Sequence, residues 1–383
     1  MKARIGIAGS GYIARGLVLA LQSQADLGVS RVLTRTDPSR RDDFPRPELL
    51  TTSINEIVDS SDLVVECSGD VLHATVIVDA ALRAGLPVVT MDAEMQVTTG
   101  SYFVGRGVIT EAEGDQPGCL AALKEDAVQM GFEPFVYGNI KGFLNHTPTL
   151  SDMEYWAAKQ GISLDKCIAF TDGTKVQVEQ ALVANGLDAT IAADGLLGLQ
   201  AEGIYDAGQE LAKRAKDSGH ALSDFVLSPA SPPGVFIVAE HDERQQLYLR
   251  NFKLGDGPYY VLLRNYHLCH LEIPKSIRRV LTGGGVLLNN SPSPAIGVAA
   301  VAKRTMEKGH VFQQAIGSFD VRGIAVKAAD NPGHAPIGLL EGAVVRHRIE
   351  PDQQVSINDI DIPDSLAHAA WKAIRDSSAA AGG

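Results

Sequence analysis

No apolar run in the 383-residue chain approaches the ~20 residues that a membrane-spanning helix needs. The stretch around Val64 and Val65 is cut within a few residues by Glu66, Asp70 and His73. Cysteine is scarce. Cys67, Cys119, Cys167 and Cys269 are scattered and form no CxxC pair, which argues against a zinc ribbon or a disulfide framework. Positive charge is short as well: 34 Lys and Arg face 46 Asp and Glu, a net charge of −12. Such a surface repels nucleic acid and anionic lipid, so neither is expected as a partner. A small anionic substrate would need a local cluster of Lys and Arg. The opening Met1-Lys2-Ala3-Arg4 runs straight into a strand-like Ile5-Gly6-Ile7 without the apolar core of a secretory signal. A cytoplasmic location is therefore expected. Against these absences, 45% hydrophobic and 21% charged residues describe an ordinary globular composition, long enough for two or three domains.

The first half alternates strand and helix signals. Residues 3–9 form a short apolar run ending in glycine, followed by Gly9-Ser10-Gly11-Tyr12-Ile13-Ala14 and an apolar helical stretch from Leu17 to Leu21. This G-x-G-x-x-A lies between a strand and a helix, the context a dinucleotide fingerprint requires. Gly9 permits the tight turn, Gly11 lets backbone approach a pyrophosphate, and Ala14 lets the helix lie close to the strand. The helix N-terminus, at Tyr12 and Ile13, offers free N–H groups to the phosphates.

The second strand, Val29 to Thr34, ends in Arg35 where a carboxylate for the ribose hydroxyls of NAD usually stands. A guanidinium there suits a 2′-phosphate, with Arg40 and Arg41 assisting, so NADP(H) is favoured over NAD(H); nearby Asp37 keeps NAD open. Asp62 to Gly69 reads as the fourth strand and its loop, placing Cys67, Ser68 and Gly69 beneath the nicotinamide side. A helix over 71–84 and a strand Val88 to Met91 follow. Gly107–Thr110 and Pro134–Tyr137 read as two further strands that complete the parallel sheet by about residue 140.

The run Val88-Val89-Thr90-Met91-Asp92-Ala93-Glu94 resembles the homoserine-dehydrogenase-like oxidoreductases, in particular the subgroup with a C-terminal SAF domain. The same resemblance extends through Glu113–Gly118, Gly138–Asn145, Phe170–Lys175 with Glu179, Ala184 and Asn185, Pro233–Phe236, Gly255–Tyr259 and Tyr266–Glu272. It covers nearly the whole chain. That subgroup includes an alternative 1-deoxy-D-xylulose 5-phosphate reductoisomerase (DXR-like) and D-apionate oxidoisomerases. The resemblance implies NAD(P)-dependent chemistry on a CH–OH group of a small polyhydroxylated or keto substrate carrying phosphate or carboxylate, and a homo-oligomer. It also counts Glu94 among the residues on the cofactor side. One departure is informative. Homoserine dehydrogenases proper carry an Asn-Lys pair after the fifth strand, where this chain has Asp92-Ala93-Glu94, and an acid in place of that base argues against homoserine as substrate. A simple dehydrogenase of the homoserine type, or a non-catalytic protein sensing NADP, remain the alternative readings.

Candidate chemistry lies in the second half. Lys175 and Glu179, four residues apart, share a face of a helical stretch from Val176 to Asn185 and can pair. Asp172 can cap that helix. In the functional reading Lys175 serves the substrate oxygen that gains or loses a proton, and Asp172 or Glu179 orients it. Lys141, Asn145 and His146 follow the last Rossmann strand, and Lys141 and Asn145 are candidates for substrate binding. His267-x-x-His270-x-Glu272 has the look of a metal site, but no partner helix of the HExxH kind accompanies it. A divalent metal stays possible, and His267 and His270 are assigned instead to the substrate. Arg264, Lys275, Arg278 and Arg279 make the flanks locally basic.

Residues 301–312 and 344–355 share a pattern of apolar strand, basic residues, turn and strand, resembling an SAF or β-clip module. The expected fold is α/β: a doubly wound Rossmann domain (1–140), an α+β substrate domain (141–291), a small β-rich SAF-like domain (292–370) and a tail (371–383) whose last residues, Ser377 to Gly383, look disordered.

Overall fold

The apolar run at the start of the chain becomes β1 (Ala3–Ala8), whose Ile5, Ile7 and Ala8 are wholly buried. A strand covered on both faces has no reason to alternate polar and apolar residues. In the computed structural model, which describes residues 2–381, β1 is central in a parallel six-stranded sheet. The other strands are β2 (Leu27–Leu33), β3 (Leu50–Thr51), β4 (Leu63–Glu66), β5 (Val88–Thr90) and β6 (Ile109–Glu111), in the order β3-β2-β1-β4-β5-β6. The order reverses between β1 and β4, which makes the loops beyond Ala8 and Glu66 the binding edge of such a sheet. Helix α1 (Tyr12–Gln22) buries Ala14, Leu17, Val18 and Leu21, one helical stripe. Helices α2 (Ile54–Ser60) and α3 (Val71–Arg83) are capped by Ser53 and Asp70, each accepting a bond from a first-turn N–H.

The chain forms two compact units, each assembled from separate stretches. The first takes Met1–Gly118, Leu268–Ser293 and Asp364–Gly383; the second takes Cys119–His267 and Pro294–Pro363. In the first unit, helix Ile273–Leu281 puts Ile273 and Ile277 into the apolar cluster that holds Ile5, Ile7 and Leu17. Residues 268–293 therefore pack with the parallel sheet rather than with the substrate domain. Helix Leu366–Ala381 packs on α3 through a stripe of Ala367, Ala370 and Trp371. Residues 377–381 are thus helical where a disordered end was expected. Alanine-rich sequence has high helix propensity, and one buried tryptophan gives it a face to anchor. Gly382 and Gly383 of that tail lie outside the described residues.

The second unit is built on a mixed five-stranded sheet, β11-β10-β7-β9-β8. Its strands are β7 (Glu133–Lys141), β8 (Leu199–Gln200), β9 (Leu222–Leu227), β10 (Gly234–Glu240) and β11 (Tyr260–Arg264). Pro134–Tyr137 belongs to β7 and pairs with β9 and β10, so it does not extend the parallel sheet. An apolar run specifies a strand but not its neighbour, and only β6 of the two expected strands joins the Rossmann sheet. Along β7 the faces alternate. Val136 and Ile140 enter the core beneath helix Ile204–Ser218. On the opposite register, Asn139 and Lys141 reach helix Thr174–Gly186.

The C-terminal part of this unit contains β12 (Ile296–Ala302) paired antiparallel with β13 (Val321–Lys327), and β14 (Val344–Val345) with β15 (Ile360–Asp361). The two similar segments seen in the sequence face each other: Val301 bridges Gln354, Met306 bridges Ile349 and Val311 bridges Val344. The whole is α/β, with a parallel sheet, a mixed sheet and small antiparallel sheets. No helix among the described residues is long and apolar enough to cross a membrane.

Candidate functional site

At the end of β1 the chain turns at Gly9 with φ +109°, and a Cβ there would lie 2.8 Å from the Cys67 carbonyl oxygen. The turn therefore lies hard against the end of β4, and only glycine allows it. Gly11 differs. Its φ is −80°, it caps α1, and nothing stands within 4 Å of where its Cβ would be. The open side of Gly11, next to the unsatisfied first-turn N–H groups of α1, is a cradle that a side chain would fill and a pyrophosphate suits. Tyr12 is exposed, while Ile13 packs on the core.

Charged side chains surround this turn. Arg41 donates to the Ser10 hydroxyl at 3.0 Å and to the Ser10 carbonyl at 3.1 Å, and the Ser10 hydroxyl donates to Thr34 at 3.0 Å. Arg35 points instead to Asp70, at 2.5 Å. On the next loop, the buried Glu66 accepts from the Ser68 N–H and hydroxyl at 2.8 and 2.6 Å and from Thr90 at 3.2 Å. Gly69 takes φ +67° where this loop enters α3. Burial, reinforced by Glu66 and Asp92, pushes the Cys67 thiol well above its usual range, which disfavours the thiolate form. Glu94 is buried in the short turn Ala93–Met95, capped by Asp92. His270 lies against α1: a Cβ on Gly16 would come within 2.5 Å of its ring, and its edge meets Tyr12 at 6.4 Å between centroids. Burial lowers its pKa, favouring neutral imidazole. These residues fit a dinucleotide: a glycine cradle, a helix N-terminus and a guanidinium beside it.

In the second unit a different cluster forms on helix Thr174–Gly186. Glu179 is fully buried, and three nitrogens converge on it. Asn139 donates at 2.7 Å, Lys141 at 3.2 Å, and the Lys175 ammonium stands 3.8 Å away. Lys141 and Lys175 themselves are mostly shielded, with side chains 17% and 12% exposed. Two ammonium groups gathered at one buried carboxylate concentrate positive charge there, an arrangement suited to a developing alkoxide or a substrate anion. Asn139 adds a buried Oδ1 with no hydrogen-bond donor among the described residues. Asn139 was not singled out from the sequence, although its place two residues before Lys141 on one strand sets it on the same face.

The remaining candidates have other surroundings. Asp172 is buried and bonds the Thr174 N–H at 2.8 Å and the Lys303 ammonium at 2.5 Å, rather than Lys175. Burial pushes the Asp172 carboxyl up and Lys303 down, each opposed by the other's charge. Asn145 uses Oδ1 on the Thr147 N–H at 3.1 Å and its own N–H on the Thr171 carbonyl at 2.7 Å, fixing the loop before the helix. His267 is half-buried and belongs to the second unit, whereas His270 belongs to the first. No group of three or more His, Cys, Asp or Glu among the described residues is arranged to hold a metal ion.

Residues 9–101 match the NAD-binding domain described for homoserine dehydrogenase, and residues 114–273 match the catalytic domain of oxidoreductase DRL. The chain is an NAD(P)-dependent oxidoreductase. The first match contains the glycine turn, and the second contains Asn139, Lys141, Lys175 and Glu179. The oxidoreductase finds no match among curated proteins. Among solved structures it is similar to UDP-N-acetylglucosamine 3-dehydrogenase GnnA from Acidithiobacillus ferrooxidans, at 12% identity and a TM-score of 0.43 over 76% of this chain and 92% of that one. It is similar to biliverdin reductase from Synechocystis sp. PCC 6803, in complex with biliverdin and NADP+, at 11% identity and 0.40 over 75% and 93%. A third is dipicolinate-bound dihydrodipicolinate reductase from Paenisporosarcina sp. TG-14, at 13% and 0.37 over 75% and 97%.

Proposed function

We propose that the oxidoreductase uses NADP(H) to interconvert a carbonyl and a carbinol on a small polyhydroxylated or keto substrate bearing phosphate or carboxylate, with a skeletal rearrangement coupled to the transfer. The observation that carries this reading is the pair of lysines sharing one buried carboxylate, Glu179. Gly9, Gly11 and the α1 N-terminus would hold the pyrophosphate, and Arg41, already bonded to Ser10 in the turn, would take the 2′-phosphate. When bound, the nicotinamide supplies or accepts hydride. The chain's own task is the proton. Lys175 gives it to, or takes it from, the substrate oxygen, and Glu179 orients Lys175. Lys141 adds the second positive charge, so that a substrate with two neighbouring oxygens, as an α-hydroxyketone has, is held at both. Asn139 fixes Glu179 and thereby the spacing of the two ammonium groups.

The test is NADPH oxidation against a panel of ketose phosphates and sugar acids. The Lys175→Ala variant should lose roughly 10²–10⁴-fold in turnover while keeping its affinity for NADPH. Wild-type turnover by that variant would remove Lys175 from the reaction, and a chain that binds NADPH but oxidises none with any substrate would refute catalysis.

A further inference from the structure

Every other arginine of the chain has an ion-pair, hydrogen-bond or aromatic partner. Arg322, on β13, has none among the described residues, yet it is only partly exposed. A guanidinium carries five donors, and withdrawing them from water without an acceptor is costly. Burial accordingly holds Arg322 below the usual guanidinium range.

Its position is defined by its neighbours. The adjacent Gly323 N–H donates to the Thr174 hydroxyl at 2.9 Å, which brings this part of β13 to the first residue of the helix that carries Lys175. His146 reaches the same place: its ring is 3.8 Å from where a Cβ on Gly173 would lie. The imidazole likewise has no hydrogen-bond partner among the described residues, and burial, then the charge of Arg322, lowers its pKa. The other charges facing the pair are Asp172, Lys303 and Asp352. Lys303 and Asp172 neutralise each other at 2.5 Å. Asp352 is solvent-exposed, where water screens it. What remains is one guanidinium and one imidazole with unused donors, at the N-terminal end of a 13-residue helix.

We infer that Arg322 and His146 form an oxyanion-binding subsite that takes the phosphate or carboxylate group of the substrate, beside the helix turn that carries Lys175. The inference rests on the proposed oxidoreductase reading for the identity of its ligand. It also gives the C-terminal strands a role in recognition: β13 supplies the charge that sorts anionic from neutral substrates.

The experiment titrates inorganic phosphate, and separately acetate, into the full chain saturated with NADPH, followed by calorimetry. At least one ion should bind the wild type. Arg322→Gln should weaken that binding roughly ten- to a hundred-fold, as expected for loss of a charge-assisted bond. Arg322→Lys, which keeps the charge and serves as the folded control, should weaken it less. A response to phosphate alone identifies a phosphate ester as the group bound, and a response to acetate alone identifies an acid. If neither ion binds the wild type, or if Arg322→Gln binds as well as wild type, the subsite is refuted. Failure of NADPH to bind would instead count against the oxidoreductase reading, and the same ion titration without cofactor would still decide the role of Arg322.

Discussion

At Gly11 a single hydrogen in place of a methyl keeps one side of the glycine turn open, whereas at Gly9 it keeps the backbone unstrained. The two positions should therefore fail differently. Gly11→Ala is expected to fold with an unchanged melting temperature and to lose NADPH affinity, because its φ suits alanine and its Cβ meets no protein atom. Gly9→Ala should destabilise the protein by about 1 kcal/mol or more, since φ is positive and Cβ would press on the Cys67 carbonyl. Thermal melts and fluorescence titration with NADPH separate the two outcomes. Beside the same turn, Arg41→Ala should weaken NADPH much more than NADH, whereas equal losses would make Arg41 a brace for Ser10 alone. Arg41 stands seven residues from Thr34, and only the loop conformation shows that it, rather than Arg35, touches the turn. The glycine turn itself was legible because strand, turn and helix are contiguous. The Lys175–Glu179 pair was legible because four residues make one helical turn. Arg322 and Lys303 were not, since their approach to Thr174 and Asp172 spans well over a hundred residues of chain and no local pattern encodes it.

Among the elements, helix Ile273–Leu281 shows how a distant segment is fastened. Its apolar side carries Ile273 and Ile277, and its rim carries Arg278, which grips Asp26 at 2.7 Å just before β2. That ion pair depresses the Asp26 carboxyl from 3.8 to about 2, chiefly through the hydrogen bond from Arg278. A depressed carboxylate stabilises the fold above its unfolded value and ceases to do so as pH falls through its folded value. The difference in urea midpoint between wild type and Arg278→Met should accordingly be constant above about pH 5 and shrink as pH falls from 3.8 toward about 2. A difference that persists unchanged into that acid range would assign the effect to packing of the arginine stem. This helix also marks a limit of sequence reading. Residues 268–281 look like a basic, amphipathic stretch, and nothing local says which sheet receives the apolar side.

Across the whole molecule, the nucleotide-binding unit draws on three stretches of chain and the lysine-bearing unit on two. Ending the chain after Pro363 would leave every residue of the glycine turn in place and remove Ala367, Ala370 and Trp371 from α3. Losing the burial of one large aromatic costs about 3–5 kcal/mol, a large share of a domain's stability. NADPH binding by the truncated chain should therefore fall sharply at 37 °C, measured by fluorescence titration. Undiminished binding would show that the 366–381 helix is dispensable to the sheet. The parallel sheet could be read from the sequence and its remote reinforcements could not, because alternating strand and helix signals report only nearest-neighbour folding.

The threefold origin of the nucleotide-binding unit also sets an order of events during synthesis. Strands β1 to β6 are made before either reinforcement: the apolar surface that meets Ile273 and Ile277 stays uncovered until helix 273–281 is made, and the α3 face that meets Trp371 until residues beyond 364 have been made. The unit begun first is finished last, so a nascent chain halted short of that point would display a sticky helix face and should be a client of chaperones.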